Sequence, residues 1–323
     1  MAQSTNQPRH ILTAAQYDVE LIHKLFARAD EIAASFDDHG RYTGDRTKLS
    51  RHILYRLFYK ESTRTYESFG FAASHFGMGV LGTQSVQFSS VAKGETLEDT
   101  IRTICSYNPS MIVLRSAHAG EAQAAAAVSN VPIVNAGDGS GEHPTQALLD
   151  LYTIQRECGR TSNLHVVMGG DLANGRTVRS LTKLMIKFPD NHFTFISPPT
   201  FEMGEDVKAE LTAAGIKFKE TADLPEALAS ADVVYWTRVQ KERITEAQNQ
   251  FLHDHPGIED HYTIGLEQMK HMNKSAKLLH PLPRVGEIKP EVDQDPRAVY
   301  FKQMHYGMLV RMALIEWVLG EDN

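Results

Sequence analysis

The sequence predicts an α/β protein of two domains, each a parallel sheet with helices on both faces, plus a C-terminal helix packing back on the first domain. Three observations lead there. Short apolar runs alternate with helix-period runs along almost the whole chain. The 323 residues suffice for about two domains of ordinary size. The chemistry-bearing residues cluster just after the strand-like runs, where open α/β sheets bind ligands.

An amphipathic segment from Asp18 to Phe36 precedes the first expected strand, 52–59. Further strands are expected at 79–83, 110–115, 131–135, 164–170, 192–197, 216–220, 232–237 and 276–280. Helical runs lie among them at 65–76, 95–107, 119–128, 144–157, 175–187, 205–214, 224–230 and 260–270, and a last one covers 305–319. The first domain is expected over 1–150, joined by a C-terminal helix over 303–323, and the second over 151–298. The polar stretch from Lys241 to Thr263 reads as a long loop or mobile lid.

Composition removes several function classes. A net charge of −7 argues against general affinity for nucleic acid or anionic membranes, so an anion site has to be local. Cys105 and Cys158 form neither a CxxC pair nor a metal spacing, which suits reduced cytosolic thiols and predicts no metal. The start, MAQSTNQPRHILTAAQ, lacks the apolar core of a signal peptide, and no run approaches the roughly 18 apolar residues of a membrane span. The expected location is cytoplasmic.

After strand 52–59 come Ser62, Thr63, Arg64 and Thr65. A helix start offers backbone N–H groups and a positive dipole end, the hydroxyls add donors, and Arg64 adds a bidentate fork. An ordinary Ser/Thr cap is the plain alternative. The loop Ser89-Ser90-Val91-Ala92-Lys93-Gly94 precedes another helix and suits an anion, although a flexible loop explains it as simply. Arg115 ends the third strand. A Gly-rich turn then delivers His143 to a helix start, where a neutral imidazole can donate to a carbonyl oxygen; Pro144 at the first helical position also fits a structural cap.

Gly169-Gly170-Asp171-Leu172-Ala173-Asn174-Gly175-Arg176 follows a strand without the G-x-G-x-x-G spacing of a dinucleotide site. Arg176 at a helix start faces the dipole with the wrong sign unless an anion is near. In Thr237-Arg238-Val239-Gln240, an extended chain puts Arg238 and Gln240 on one side as a carboxylate clamp. His280-Pro281-Leu282-Pro283-Arg284 is a rigid exit whose prolines leave carbonyls to accept from an amine or amide.

These segments, in this order, resemble the aspartate carbamoyltransferase family over nearly the full length: STRT (62–65), SVAKGETLEDT (90–100), NAGDGSGEHPTQALLDLYTI (135–154), GRTVRSL (175–181), YWTRVQKER (235–243) and HPLPR (280–284). The resemblance implies one α/β domain for carbamoyl phosphate and one for aspartate, in a catalytic homotrimer with active sites shared between subunits. It implies that Ser62, Thr63, Arg64 and Thr65 hold the phosphate. Thr65, Arg115 and His143 would stand near the carbamoyl oxygen and Gln146 near its amide. Arg64, Thr65, Arg115 and His143 are thus the catalytic group. Lys93, with Ser89 or Ser90, would enter the neighbouring subunit's site and reach both substrates. Arg176, Arg238 and Gln240 would hold the two carboxylates of aspartate, and the main chain of Pro281 and Leu282 would touch the substrates. No cofactor is implied. The resemblance further implies transfer of the carbamoyl group of carbamoyl phosphate to the amine of L-aspartate, early in de novo pyrimidine biosynthesis. A regulatory chain or a dihydroorotase as partner is left open.

The chain departs from the family pattern at several points. Tyr66 stands for an arginine and Gly70 for an acid four residues on, so an i,i+4 salt bridge is lost as a pair. Lys60-Glu61 replaces an acid followed by a small residue, and Gly286 and Tyr306 also differ. Two alternatives stand beside the main reading. A carbamoyltransferase for ornithine would need an acidic pocket, against Arg238, and a non-catalytic homologue stabilising a partner would not need Arg64, His143, Arg176 and Arg238.

Overall fold

A computed structural model describes residues 8–84, 94–139 and 141–322. Ser89, Ser90 and Lys93 therefore lie outside the described residues. The chain divides into two compact units, residues 1–145 with 307–323, and residues 146–306.

In the first unit, α1 (Val19–Ala34) starts where the Asp18 carboxylate accepts from Leu21 N–H at 2.7 Å. Then follow β1 (Ile53–Phe58), α2 (Thr63–His75), β2 (Gly79–Gln84), α3 (Leu97–Ser106), β3 (Met111–Ser116), α4 (Glu121–Val128), β4 (Ile133–Asp138) and the start of α5 (Pro144–Cys158). The strands are all parallel in the order β2-β1-β3-β4. Leu57, Ile112, Leu114 and Ile133 of the sheet pack on Ile101, Ile104 and Ala125 of α3 and α4. Burial on both faces is why β3 opens with the uninterrupted apolar run Met111–Leu114.

The second unit holds β5 (His165–Gly169), α6 (Arg176–Met185), β6 (His192–Ile196), α7 (Glu205–Ala213), β7 (Phe218–Glu220), α8 (Leu224–Ser230), β8 (Val233–Trp236), α9 (Glu246–Asp254), α10 (Ile258–His261), α11 (Leu266–His271), β9 (Lys277–Leu279) and the first part of α12 (Tyr300–Leu319). Its sheet is also parallel, in the order β7-β6-β5-β8-β9. Val167, Val234, Trp236 and Leu278 lie in one buried cluster with Leu228, Met269 and Tyr300.

All nine expected strands form. The stretch Lys241–Thr263 differs from the expected open loop, because it carries α9 and α10. The reason is local: Thr245 Oγ1 accepts from Gln248 N–H at 3.2 Å, and Gln248 Oε1 accepts from Thr245 N–H at 2.9 Å. This reciprocal capping box satisfies two otherwise unpaired donors, and T-x-x-Q was present to be read. The run expected as one helix over 260–270 is broken at Gly265 into α10 and α11.

Strand order decides where ligands can sit. In the first sheet, successive strands leave to opposite sides of β1, toward β2 and toward β3; in the second, the order reverses at β5 and β8. Such reversals open a crevice at the carboxyl ends of the two strands involved. Those ends carry Ser62–Thr65 and Arg115 in one unit, and Asp171 and Arg238 in the other.

Candidate active site

In the first unit, Phe58 at the end of β1 pairs in register with Arg115 of β3. α2 opens with Ser62 as its N-cap residue, yet the Ser62 hydroxyl makes no capping hydrogen bond. The ordinary cap reading of the hydroxyl therefore does not hold. Thr63 and Arg64 are exposed at this helix start, while Thr65 is buried. The Arg115 Nη1 donates to Ala136 O of β4 at 3.0 Å, which anchors the guanidinium at the strand ends. After β4 the chain turns: Glu142 N–H donates to Asp138 Oδ1 at 2.7 Å, and Glu142 Oε2 accepts from Ala14 N–H at 2.6 Å. That turn delivers His143, only 3% exposed, to the start of α5, with its Nδ1 3.5 Å from Thr145 Oγ1.

Tyr66 and Gly70, two of the departures from the family pattern, both meet one arginine of the neighbouring strand. The Arg56 guanidinium from β1 lies 3.7 Å from the centre of the Tyr66 ring, and its Nη1 donates to Tyr66 O at 2.8 Å. A Cβ on Gly70 would stand 2.4 Å from the same Nη1. The guanidinium reaches from the strand beneath the helix into space that a side chain at position 70 would fill. Glu67 Oε2 lies 3.9 Å from the guanidinium.

In the second unit, the backbone of Gly170 sits at φ +98°, where an added Cβ would lie 2.0 Å from Thr237 O. Only glycine lets β5 and β8 come this close at their ends. Asp171 follows, fully buried, and accepts from Asn174 N–H at 2.9 Å and from Gln240 N–H at 3.0 Å. Burial raises its pKa, and those backbone donors oppose the rise. The Gln240 side chain donates to Asn174 O at 2.8 Å. Arg176, 8% exposed, opens α6 after Gly175.

Arg238 is half-buried and paired. Its Nη1 donates to Glu242 Oε2 at 3.0 Å, its Nη2 bonds the other Glu242 oxygen, and the hydrogen bond holds the Glu242 carboxyl below its ordinary pKa. The guanidinium thus already holds a carboxylate in the two-pronged manner expected of a clamp. Nearby, Arg243 Nη1 is buried without a hydrogen-bond partner among the described residues. Arg238 and Glu287 line a cleft of about 350 Å³ with Gly170, Thr237, Lys241 and Gly286.

Two segments expected to meet substrate are tied together in the second unit by a carboxylate that the sequence reading passed over. Gln146 Nε2 donates to Asp150 Oδ1 at 2.8 Å, Gln303 Nε2 donates to the same oxygen at 2.6 Å, and Tyr235 Oη donates to Asp150 Oδ2 at 2.7 Å. Gln303 Oε1 in turn accepts from His280 N–H at 3.0 Å. The exit after β9 is locked further. Leu282 N–H donates to His280 Nδ1 at 2.8 Å, so the imidazole carries its proton on Nε2 and donates it to Glu287 at 2.7 Å. Leu282 sits at φ +52°, a left-handed conformation uncommon for a leucine and concentrated at functional loops.

Arg284 corrects one expectation. Like Arg64, Arg115 and Arg238 it lies near a strand end, yet it serves no anion site: its Nη2 donates to Asp293 Oδ2 at 2.6 Å and its Nη1 to Tyr300 Oη at 3.0 Å. It braces the segment before α12. Tyr306 is explained as well: its hydroxyl donates to Glu157 Oε1 at 2.7 Å and its ring packs edge-on against Tyr152. Asp150, Gln303 and Glu242 were not singled out from the sequence. The i,i+4 spacings of Gln146 with Asp150 and of Arg238 with Glu242 offered a signal for two of them; Gln303 offered none.

Each unit therefore carries anion-suited groups at the carboxyl ends of a parallel sheet: a helix start with Arg64 in one, paired and buried arginines in the other. These features define a two-unit α/β protein for small anionic substrates. The chain belongs to the aspartate/ornithine carbamoyltransferase family: residues 9–156 match the family's carbamoyl-P binding domain and residues 162–318 its Asp/Orn binding domain. Aspartate carbamoyltransferase 1, chloroplastic, of Pisum sativum is 44% identical over 310 residues, covering 96% of this chain and 78% of the relative. The aspartate carbamoyltransferase catalytic subunit of Clostridium kluyveri is 40% identical over 317 residues, covering 97% of this chain and 98% of the relative. The crystal structure of aspartate transcarbamoylase from Trypanosoma cruzi in complex with carbamoyl phosphate and aspartate superposes with a TM-score of 0.87 at 36% identity, over 96% of each chain.

Proposed function

We propose that this chain transfers the carbamoyl group of carbamoyl phosphate to the amine of L-aspartate, giving N-carbamoyl-L-aspartate and phosphate, early in de novo pyrimidine biosynthesis. The observation that carries the choice of acceptor is Arg238 holding the Glu242 carboxylate with both prongs. The same geometry suits the side-chain carboxylate of aspartate, which would take the place of Glu242 on the guanidinium; the second ammonium of ornithine would find no such partner in Arg238. Relatives at 40–44% identity bear the aspartate name.

In this reading Ser62, Thr63, Arg64 and Thr65 hold the phosphate at the start of α2. Thr65, Arg115 and His143 donate to the carbamoyl oxygen, and Gln146 meets the carbamoyl NH2. Arg176, Arg238 and Gln240 hold aspartate, with the main chain of Pro281 and Leu282 alongside. The amine nitrogen attacks the carbamoyl carbon, negative charge builds on the carbamoyl oxygen, and the bond to the phosphate oxygen breaks. A departing phosphate oxygen takes the amine proton. Rate comes from alignment and from donors placed where charge develops.

Lys93, with Ser89 or Ser90, serves the neighbouring subunit's site in a homotrimer, and the protein works in the cytoplasm. Among the described residues no helix is long and apolar enough to cross a membrane. The first test is carbamoyl transfer by the purified chain, with aspartate and ornithine compared as acceptors. Product with aspartate alone supports the reading; product with ornithine overturns the Arg238 clamp. Site sharing is tested by mixing inactive Arg64→Ala and Lys93→Ala chains, which should regain part of the activity. No recovery after subunit exchange would argue against shared sites.

A further inference from the structure

We propose that Asp150 is a positioning residue that fixes which end of the Gln146 amide faces the substrate, so that the site selects an NH2 group on the acyl carbon. The inference rests on the reading that Gln146 meets the carbamoyl group. Gln146 lies in the first turn of α5 and Asp150 one turn on, at 0% exposure. A glutamine amide has a donating end and an accepting end of nearly equal size, and an unassisted side chain can present either. An ionised carboxylate only accepts. With Asp150 Oδ1 2.8 Å from Gln146 Nε2, the NH2 has to face Asp150, and Oε1 is turned to the opposite side.

Asp150 is itself held on both oxygens. Tyr235 donates to Oδ2 at 2.7 Å and Gln303 to Oδ1 at 2.6 Å. Burial and the neighbouring Asp150 charge both keep the Tyr235 phenol protonated, so it remains a donor. Gln303 is oriented by the same logic: its NH2 is taken by Asp150, and its Oε1 accepts from His280 N–H at 3.0 Å. One buried carboxylate therefore sets two amides, and through Gln303 it holds the start of the His280-Pro281-Leu282 exit.

The consequence is selectivity between acyl phosphates of the same shape and charge. Carbamoyl phosphate carries NH2 where acetyl phosphate carries CH3. An accepting Oε1 rewards the first and leaves a polar atom unpaired against the second. A flipped amide would present its own NH2 and lose the distinction.

The test compares wild type, Asp150→Asn and Tyr235→Phe in three measurements: KM for carbamoyl phosphate, and inhibition constants for acetyl phosphate and for inorganic phosphate. In Asp150→Asn the neighbour at position 150 can accept or donate, so the Gln146 orientation is no longer enforced. KM for carbamoyl phosphate should rise about tenfold while both inhibition constants stay within about twofold. Tyr235→Phe should lower thermal stability and keep the wild-type preference, because the Gln146 bond remains. An unchanged preference in Asp150→Asn, or equal weakening of all three ligands, would overturn the proposal. Absence of carbamoyl transfer by wild type is a different result, which removes the proposed function. Should Asp150→Asn not fold, wild type labelled with 15N-glutamine decides the matter, with the Gln146 signal assigned by Gln146→Leu. The Gln146 side-chain NH2 should exchange slowly with solvent, and fast exchange overturns the proposal.

Discussion

Arg56 reaches up from β1 to cover the ring of Tyr66 at 3.7 Å and to donate to its carbonyl at 2.8 Å. The pair braces the first turns of the helix whose start carries Ser62–Thr65. The arrangement combines a cation–π contact with a charge-assisted hydrogen bond. Part of that gain is offset, because Arg56 Nε is buried without a hydrogen-bond partner among the described residues.

Arg56→Ala should lower the unfolding free energy by about 2 kcal/mol. Gly70→Ala has opposite signs in the two backgrounds. With Arg56 present, the new Cβ would stand 2.4 Å from Nη1, and the resulting displacement should outweigh the better helix propensity, costing about 1 kcal/mol. With Arg56→Ala, the same change should stabilise by up to about 1 kcal/mol. Urea unfolding of the four proteins measures the coupling. Additive effects would show that the two positions do not share the space.

Arg64→Ala should lose most carbamoyl transfer, since truncating one partner of a desolvated charge pair costs roughly 2–5 kcal/mol. Steady-state kinetics should show the loss in kcat/KM for carbamoyl phosphate. Near-normal turnover would remove Arg64 from the phosphate site.

Arg238→Ala should act on the other substrate. KM for aspartate should rise by a factor on the order of a hundred or more, following the same roughly 2–5 kcal/mol. KM for carbamoyl phosphate should change little. An unchanged aspartate dependence would contradict the carboxylate role.

Glu287 predicts a pH dependence. Burial alone would raise its pKa, but the hydrogen bond from His280 and the backbone N–H donors beside it outweigh burial and bring the value to about 2. The folded value lies below the unfolded one, so the folded state binds fewer protons as acid is added. The contribution is fully present above the unfolded value of about 4.5 and is lost as pH falls toward about 2. Discounted for partial solvent screening, it amounts to roughly 1–3 kcal/mol. Denaturant midpoints of wild type should fall over that window more steeply than those of Glu287→Gln. Parallel curves would show that the His280 bond does not depress the carboxyl.

Much was legible in the amino-acid order because it is written locally. Alternating apolar and helix-period runs mark all nine strands, and Ser62–Thr65, His143, Arg176 and Arg238 each follow a strand end. A strand needs a continuous apolar run and a helix start needs capping residues, so both leave short-range signals. Where the reading was coarse, at Lys241–Thr263, a short-range signal was present in Thr245 and Gln248.

Other features depend on residues far apart in the chain, and packing alone brings them together. Tyr235 meets Asp150 across 85 residues and Gln303 meets it across 153. A buried aspartate, tyrosine or glutamine carries no periodic mark of its partner. The same holds for Arg56 with Tyr66 and Gly70: the two positions are visible in the sequence, but the guanidinium that meets them comes from the neighbouring strand. Local chemistry wrote the elements and the ligand-facing residues. Tertiary burial, which leaves few polar groups out of water without a partner, decided how those residues are held.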